Sequence, residues 1–247
     1  MRAIILAAGI GHRMGPDGRE TPKCLLEVGG RTLLDRMLAA LAGVGIREAT
    51  LVVGYLKARV MAAVRDHPSG VAVECLENPA YATQGPLVSL WCARKRLDGP
   101  VLFLDADLLF ARRLLERFVR GGPASALLVD PAFTDTGEEV KAVSRAGRAV
   151  ALTKRLEPGM AGNLAEWIGM LRLNGSDARA LAEILDELVR RGRTDAIYEE
   201  ALQVLVQKRE IGVESVAGLP WIEIDFPEDL ARAELDIVPA LRALGEA

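Results

Sequence analysis

The stretch LAAGIGHRMG at residues 6–15 decides the fold of this chain. It continues the apolar run Ala3–Ala7, which has the length and the composition of a first β-strand. Its glycines let the backbone approach a ligand closely, so that successive N–H groups can surround phosphate oxygens while Arg13 neutralises their charge. The stretch therefore predicts a strand followed by a loop that binds a nucleoside triphosphate.

The spacing of the glycines excludes two common phosphate-binding motifs. A dinucleotide-binding loop needs glycine at the position of Met14, and a Walker loop ends in Gly-Lys followed by Ser or Thr. These glycines alone also allow an ordinary strand-to-helix turn without a ligand. The segment PKCLL at residues 22–26 adds a second cation, Lys23.

The longer pattern carries a family resemblance. A-A-G-x-G-x-R-M at residues 7–14, followed by P-K-x-L at residues 22–25, resembles the signature of the sugar-phosphate nucleotidyltransferases, within the MobA-like NTP transferase superfamily. The resemblance implies an enzyme that uses Mg²⁺, with Arg13, Lys23 and Lys154 as catalytic residues. The residues that we assign to the nucleotide are Leu6, Ala7, Ala8, Gly9, Gly11, Arg13, Lys23, Gln84, Ser89 and Asp105.

Two acidic segments supply candidate metal ligands. In LFLDAD at residues 102–107, side chains two apart emerge on one face, so Asp105 and Asp107 share a face at the carboxyl end of a strand. Asp225 ends a second short strand, and by itself it is equally suited to cap the following helix. The resemblance implies that Asp107 and Asp225 hold Mg²⁺, whereas the family pattern does not require Asp105.

The nucleotide and the acceptor follow from two further segments. Residues 78–90 resemble the N-x-x-Y…S-L segment of cytidylyltransferases, and Gln84 within them can both donate to and accept from a base edge. The ending P-W-x-E-I-D-F-P-E-D-L at residues 220–230 is most similar to small cytidylyltransferases that act on phosphocholine and related phosphorylated or phosphonylated alcohols. The acceptor-binding candidates are Lys141, Lys154, Glu166, Trp167, Tyr198, Trp221 and Glu223.

The type of acceptor group stays open at this point. Lys141 and Lys154 lie on the two arms of a predicted hairpin, where the resemblance favours a contact with the acceptor but a solvated lysine is the usual alternative. For a cationic acceptor, the aromatic candidates would supply a ring face, and Glu166 or Glu223 the opposite charge. Packing of the rings in the core is the alternative.

Apolar runs of strand length alternate with segments of helical period in the first half, which predicts crossover helices between parallel strands. We predict strands at residues 3–7, 49–53, 71–76, 101–104 and 126–129, and helices at residues 33–42, 56–65, 87–96 and 111–119. From about residue 133 the rhythm changes to a hairpin at residues 140–153, a strand at 167–173, helices at 177–191 and 198–206, a strand at 221–225 and a helix from Pro227.

These elements define an α/β fold class. We expect a Rossmann-like, three-layer α/β/α fold with a mixed, mainly parallel central sheet and a small acceptor-binding β portion. One domain is expected over residues 1–247, with nucleotide binding mainly in 1–132 and acceptor binding with the second metal carboxylate mainly in 133–247.

The composition limits the partners. The net charge is −3 without a basic tail, so neither a nucleic-acid surface nor a membrane surface is expected. Three isolated cysteines without zinc-ligand spacing indicate a reducing compartment, which predicts a cytoplasmic protein. CTP or another nucleoside triphosphate and a small acceptor are the expected partners, and a homodimer stays open.

Two other functions remain compatible with these motifs. A sugar-1-phosphate nucleotidylyltransferase using UTP, GTP or dTTP shares the loop and the metal motifs. A non-catalytic nucleotide-binding regulatory module is expected to have lost Lys23 or the acids, and all of them are present.

Overall fold

The computed structural model describes residues 1–15, 20–157 and 159–246. The strands are β1 (Arg2–Ala7), β2 (Glu27–Val28), β3 (Arg31–Thr32), β4 (Glu48–Val53), β5 (Ala72–Glu77), β6 (Val101–Asp105), β7 (Leu108–Phe110), β8 (Ala126–Asp130), β9 (Lys141–Arg145), β10 (Arg148–Thr153), β11 (Asn163–Leu173), β12 (Gly212–Ser215) and β13 (Trp221–Glu223). The α-helices are α1 (Leu33–Gly43), α2 (Lys57–Val64), α3 (Pro86–Cys92), α4 (Arg112–Arg120), α5 (Gly175–Arg190), α6 (Glu199–Lys208), α7 (Pro227–Arg232) and α8 (Val238–Ala243).

One half of the central sheet is parallel, in the order β5-β4-β1-β6. Helices α1, α2 and α3 connect these strands in turn, as the alternating pattern of the sequence predicts. The parallel register places Leu6 at the end of β1 beside Asp105 at the end of β6. The glycine-rich loop and the acidic segment therefore leave the sheet at the same edge.

The other half of the sheet is mostly antiparallel. It continues from β6 as β11-β8-β12-β10-β9, and β9 also pairs with the first residues of β11, so these five strands close into a ring. Within the described residues, four pairings of this nine-stranded sheet are parallel and five are antiparallel. The mixed sheet is confirmed. It has fewer parallel pairings than predicted because β11 runs antiparallel to both β6 and β9.

The sheet separates two apolar cores. In β1, Ala3 and Ile5 face one core and Ile4 faces the other, because successive side chains of a strand point to opposite faces. Helices α1, α2, α4 and α8 contribute to the first core, and α3, α5 and α6 contribute to the second. The three-layer arrangement is thus confirmed.

Two predicted elements end earlier than expected. The helix predicted at residues 87–96 ends at Cys92 and is followed by a separate 3-10 helix, Arg94–Arg96. The strand predicted at residues 221–225 ends at Glu223, which leaves Asp225 in the loop before α7. Among the described residues, no helix is long and apolar enough to cross a lipid bilayer.

Candidate active site

The glycine-rich loop has a backbone that a ligand can approach. Gly11 adopts the left-handed conformation (φ 68°) and precedes a 3-10 helix, His12–Met14. Met14 is fully buried and anchors the loop, whereas Arg13 is half exposed. Beside Gly9 an added Cβ would meet no atom within 4 Å, so open space adjoins this part of the loop.

Three carboxylates meet beside this loop. Asp107 follows β6, Glu223 ends β13 and Asp225 follows β13, and one oxygen of each lies within 4.8 Å of the others. The two segments are joined because the N–H of Ile224 donates a hydrogen bond to the carbonyl of Asp107 at 3.0 Å. Clustered carboxylate oxygens are the protein ligands that Mg²⁺ prefers, so these residues fit such an ion.

Asp225 does not cap the helix that follows it. The carboxylate of Asp229 accepts hydrogen bonds from the N–H groups of Asp225 (3.1 Å) and Phe226 (2.9 Å) at the start of α7. The N-cap of this helix is Phe226, and the side chain of Asp225 is directed to Lys23 and Arg13.

Two cations from the N-terminal segment neutralise the carboxylates. Lys23 Nζ lies 3.0 Å from Asp107 Oδ2 and donates a hydrogen bond to Asp225 Oδ1, and Arg13 Nη1 lies 2.8 Å from Asp225 Oδ2. Burial alone would lower the pKa of Lys23, but the charges of Asp107 and Asp225 outweigh it and raise that pKa. Burial alone would raise the pKa of Asp225, but Lys23 and Arg13 lower it. We call Arg13, Lys23, Asp107, Glu223 and Asp225 the cleft group.

The cleft group borders a cleft of about 490 Å³. Most of the predicted site residues line it, from both the nucleotide and the acceptor set. They are Leu6, Ala7, Ala8, Gly9, Gly11, Arg13, Lys23, Gln84, Ser89, Asp105, Asp107, Lys154, Tyr198, Glu223 and Asp225.

Lys154 reaches the cleft from the end of the hairpin. Its Nζ lies 4.0 Å from Glu138 Oε2, and Arg13 Nη2 lies 3.8 Å from the same atom. Glu138 belongs to the loop between β8 and β9 and is largely exposed. Contacts of this length between exposed groups contribute little to stability, so Lys154 is available to an anionic ligand, whereas Arg13 is also paired with Asp225.

Asp105 lies deeper than Asp107 and contacts protein groups. Tyr198 donates a hydrogen bond from its hydroxyl to Asp105 Oδ2 at 2.5 Å. Burial, with the nearby charge of Asp107, raises the pKa of Asp105 well above its ordinary value. Gly169 in β11 has a positive φ of 75°, and a Cβ there would lie 2.6 Å from Asp105 Oδ2, so this glycine makes room for the carboxylate.

Gln84 precedes α3 and Ser89 lies within it. Ser89 is buried and accepts a hydrogen bond from Asn78 Nδ2 at 3.0 Å, which fixes the segment before α3. Gln84 is held by a backbone hydrogen bond from its N–H to the carbonyl of Ala80 at 2.9 Å. Both residues line the cleft, but Ser89 already has a protein partner.

Two predicted acceptor residues, Lys141 and Glu166, lie outside the cleft lining. Lys141 is only 3% exposed; its Nζ lies 2.8 Å from Asp135 Oδ1 and donates to the carbonyl of Lys154 at 3.1 Å. Glu166 pairs with Lys141 across β9 and β11. Burial, with the charges of Glu139 and Asp130, raises the pKa of Glu166 to about 7. We call Asp130, Asp135, Glu139, Lys141 and Glu166 the hairpin group.

Trp167 and Trp221 do not form a cage with Tyr198. Trp167 is 4% exposed, stacks on Phe103 at 6.3 Å between ring centroids, and donates its indole N–H to the carbonyl of Met170 at 2.7 Å. Trp221 donates its indole N–H to Asp130 Oδ2 at 2.8 Å and lies outside the cleft lining. Successive side chains of a strand point to opposite faces of the sheet, so the sequence predicts that a strand has two faces. It does not predict which of these faces borders the cleft.

The structure adds one acidic residue that the sequence reasoning missed. Glu199 lines the cleft, and its Oε2 is buried without a hydrogen-bond partner among the described residues. Burial raises the pKa of Glu199. Glutamates are common in the first turn of a helix, where Glu199 lies, so its position gave no signal.

Gly85 explains how Glu199 reaches the cleft. The N–H of Gly85 donates to the carbonyl of Thr194 at 2.8 Å, and that of Leu87 donates to the carbonyl of Ala196 at 3.1 Å. A Cβ on Gly85 would collide with the carbonyl oxygen of Ala196. Glycine at this position therefore lets the segment before α6 pack against the start of α3, beside the cleft.

This chain is similar in sequence to known proteins. The family described as the MobA-like NTP transferase domain matches residues 3–167. The CMP-5'-(3-aminopropyl)phosphonate synthase of Streptomyces rubellomurinus is 30% identical over 97% of this chain, and the bifunctional IPC transferase and DIPP synthase of Aquifex aeolicus is 28% identical over 99% of it. The chain spans only 39% and 54% of the length of these two relatives.

A solved structure has the same fold. The inositol-1-phosphate CTP transferase of T. maritima superposes with a TM-score of 0.76 at 21% identity, covering 100% of this chain and 96% of that one. The shared fold includes both halves of the sheet, because the whole chain is covered.

Proposed function

The chain belongs to the MobA-like NTP transferase family, and from that premise we propose that it is a cytidylyltransferase. It would join the CMP part of CTP to a small phosphorylated or phosphonylated acceptor and release pyrophosphate. The observation that carries the proposal is the meeting of Arg13 and Lys23 with Asp107 and Asp225 at one open cleft. The names of two similar proteins, which refer to a CMP-linked product and to CTP, support the choice of nucleotide.

The reaction is an in-line attack on the α-phosphorus of CTP. An oxygen of the acceptor's phosphate or phosphonate forms the new P–O bond, and the bond to pyrophosphate breaks. This oxygen is already anionic at neutral pH, so the reaction needs no protein nucleophile. The residues of this chain therefore contribute by positioning and by neutralising charge.

Each cleft residue has a part in this scheme. The backbone of the glycine-rich loop and Arg13 would hold the triphosphate, Lys23 would contact its phosphates, and Gln84 would contact the base. Mg²⁺, when bound by Asp107 and Asp225, supplies positive charge against the triphosphate. Lys154, on the acceptor side, would bind the attacking phosphate or phosphonate.

The acceptor carries an ammonium group in this proposal. Glu199 lines the cleft, and its buried Oε2 has no hydrogen-bond partner within the described part of the chain, which is costly until a donor reaches it. An ammonium on the far end of an acceptor held by Lys154 would supply both a hydrogen bond and a charge. An aminoalkylphosphonate or a phosphorylated amino-alcohol has this form, whereas the quaternary ammonium of a phosphocholine-type alcohol has no N–H and supplies the charge alone.

The test is pyrophosphate release measured over a panel of nucleotides and acceptors. CTP with aminoalkylphosphonates or phosphorylated amino-alcohols is expected to give the highest kcat/KM. Turnover of UTP, GTP or dTTP with a sugar 1-phosphate would favour the sugar-phosphate enzyme instead, and no turnover with any pair would favour the non-catalytic module.

Glu199→Gln tests the ammonium contact, with Glu200→Gln as its matched control. Glu200 is the next residue of α6 and pairs with Arg193 at 2.6 Å on the surface. Glu199→Gln should raise KM for an amino acceptor at least about tenfold, as expected for loss of a buried charged contact, and leave KM for CTP unchanged. Equal effects of the two variants would contradict the assignment.

An inositol phosphate is the second candidate acceptor. The solved structure of an inositol-1-phosphate CTP transferase has this fold, and carboxylates such as Glu199 also accept hydrogen bonds from sugar-like hydroxyls. A polyol phosphate has no charge for Glu199 to neutralise, so kcat/KM for it should change less in Glu199→Gln than that for an amino acceptor.

A further inference from the structure

Lys23 occupies the centre of the carboxylate site in this structure. Its ammonium lies between Asp107 and Asp225, and its side chain is only 17% exposed. The second oxygen of Asp225 is paired with Arg13. Both of the carboxylates that are proposed to hold a metal ion are thus already neutralised by cations of the chain itself.

We propose that Lys23 is the built-in counter-ion of this site and that it couples metal binding to triphosphate binding. In the free protein its ammonium fills the place between Asp107 and Asp225. A triphosphate draws Lys23 to its own oxygens, and this frees the carboxylates for the divalent cation that accompanies the nucleotide. The inference relies on the proposed function only for the identity of the triphosphate.

The charges of the carboxylates require a cation between them both in the free protein and in the protein with bound nucleotide. Asp107, Glu223 and Asp225 have oxygens within 4.8 Å of one another, and three unneutralised carboxylates at that distance repel strongly. Because Lys23 donates hydrogen bonds to Asp107 and Asp225, these two carboxylates create the demand for a cation. Lys23 meets that demand when the cleft holds no ligand.

Lys23 also competes with a metal ion for the same atoms. A divalent cation would have to displace an ammonium that is largely buried and hydrogen-bonded to both carboxylates. Breaking a buried ion pair without a new partner is costly, so the metal ion alone gains little by binding. Phosphate oxygens are a new partner for Lys23, because its flexible four-carbon chain can turn from the carboxylates toward the glycine-rich loop.

The coupling must be reciprocal. If the nucleotide raises the affinity for the metal ion by removing Lys23 from the carboxylates, the metal ion raises the affinity for the nucleotide by the same factor. Replacing Lys23 by an uncharged residue should therefore have two opposite effects. It should raise the affinity for the metal ion in the absence of nucleotide. It should also reduce the factor by which the nucleotide raises that affinity.

The experiment is a titration of the full chain with Mn²⁺ in the absence of nucleotide. Electron paramagnetic resonance of the free ion measures how much Mn²⁺ remains unbound. Lys23→Met is compared with the wild type, and Lys57→Met is the matched control, since Lys57 pairs with Glu77 on the surface at 2.6 Å. We expect Lys23→Met to bind Mn²⁺ at least about tenfold more tightly than the wild type. Lys57→Met should bind as the wild type does. Equal or weaker binding by Lys23→Met would overturn the proposal.

A second measurement uses the wild type and does not depend on the folding of the variant. Mn²⁺ affinity is measured with and without a CTP analogue that carries a methylene bridge between the α- and β-phosphates. The analogue is expected to raise the affinity for Mn²⁺ about tenfold or more. If the analogue binds and the affinity for Mn²⁺ does not rise, the proposal is contradicted. An analogue that does not bind counts against the proposed function, whereas the titration with Mn²⁺ alone still tests Lys23.

Discussion

The cleft group and the hairpin group are both clusters of acids around lysine, yet of the two only the cleft group lines the cleft. The cleft group draws its residues from the glycine-rich loop, from the 3-10 helix Lys23–Leu25, from the segment after β6 and from the end of β13, which are far apart in the sequence. The hairpin group comes from neighbouring strands and the loop between them, and its lysine is buried against Asp135 and a backbone carbonyl. A cluster of charged residues alone therefore does not identify a ligand-binding site. The cluster must also border a cleft that a ligand can enter.

The largest expected difference between the two groups is in catalysis. Asp107→Ala removes one of the two proposed metal ligands and should lower kcat by about a thousandfold or more, measured as pyrophosphate release from CTP. Asp135→Ala, in the hairpin group, is the matched control and should keep most of the wild-type rate. Both variants should retain the wild-type circular dichroism spectrum. Comparable losses of activity in the two variants would remove the distinction between the groups.

The second difference concerns the two lysines of the hairpin. Lys141→Met removes a buried donor from Asp135 and from the carbonyl of Lys154, and it should lower the free energy of unfolding by about 2 kcal/mol, measured in urea. Lys154→Met removes a partly exposed cation of the cleft. It should raise KM for the acceptor at least about tenfold with little change in stability.

These two variants also separate a structural role from a binding role. Lys141 donates to the backbone of Lys154, so a small rise in KM for the acceptor is compatible with its position. An equal rise in both variants, with unchanged stability in Lys141→Met, would mean that Lys141 contacts the acceptor.

A larger share of the residues predicted for the nucleotide than of those predicted for the acceptor lines the cleft. Parallel strands place their carboxyl ends at one edge of the sheet, so Gly9 and Asp107 could be expected to meet. The acceptor side depends on which face of β11 points to the cleft and on how α6 begins, and neither follows from alternation. Trp167 faces the core, which the sequence left open as the alternative to an acceptor contact, and Glu199, for which the sequence gave no signal, lines the cleft.

The start and the register of the long strand β11 are the clearest case of features that the local sequence does not predict. The hydrophobic run predicted only residues 167–173, whereas the strand begins at Asn163. Its first residues pair with β9, and its register shifts between Trp167 and Leu171, around Gly169. Pairing partners far along the chain determine this arrangement, and local propensity is a weak guide to it.

A third, smaller difference concerns pH. Glu166 has its pKa raised from 4.5 to about 7, chiefly by burial and then by Glu139 and Asp130, while Lys141 opposes the shift. The folded protein binds the proton more tightly than the unfolded chain does, so this residue favours folding at low pH. That contribution is lost as the pH rises from 4.5 to about 7.

Glu166→Gln removes this dependence. The Tm of the variant should equal that of the wild type at about pH 4.5 and exceed it by about 5 °C at pH 8, measured by differential scanning calorimetry. Glu210→Gln, an exposed glutamate beside Arg148, is the control and should show no such trend. A variant that is less stable than the wild type at pH 8 would mean that ionised Glu166 has a favourable partner.

The smallest expected effect is that of Trp221→Phe, and it tests whether the hairpin group touches the acceptor at all. Phenylalanine keeps an aromatic ring, although a smaller one, and loses the hydrogen bond from the indole N–H to Asp130, which should lower the free energy of unfolding by about 1 kcal/mol. KM for an amino acceptor should stay unchanged, because Trp221 lies outside the cleft lining. A rise in that KM with unchanged stability would show that the ring forms part of the acceptor site. Asp130 and Glu166, which pair across β8 and β11, would then belong to the same site, and the boundary between the two groups would have to be redrawn.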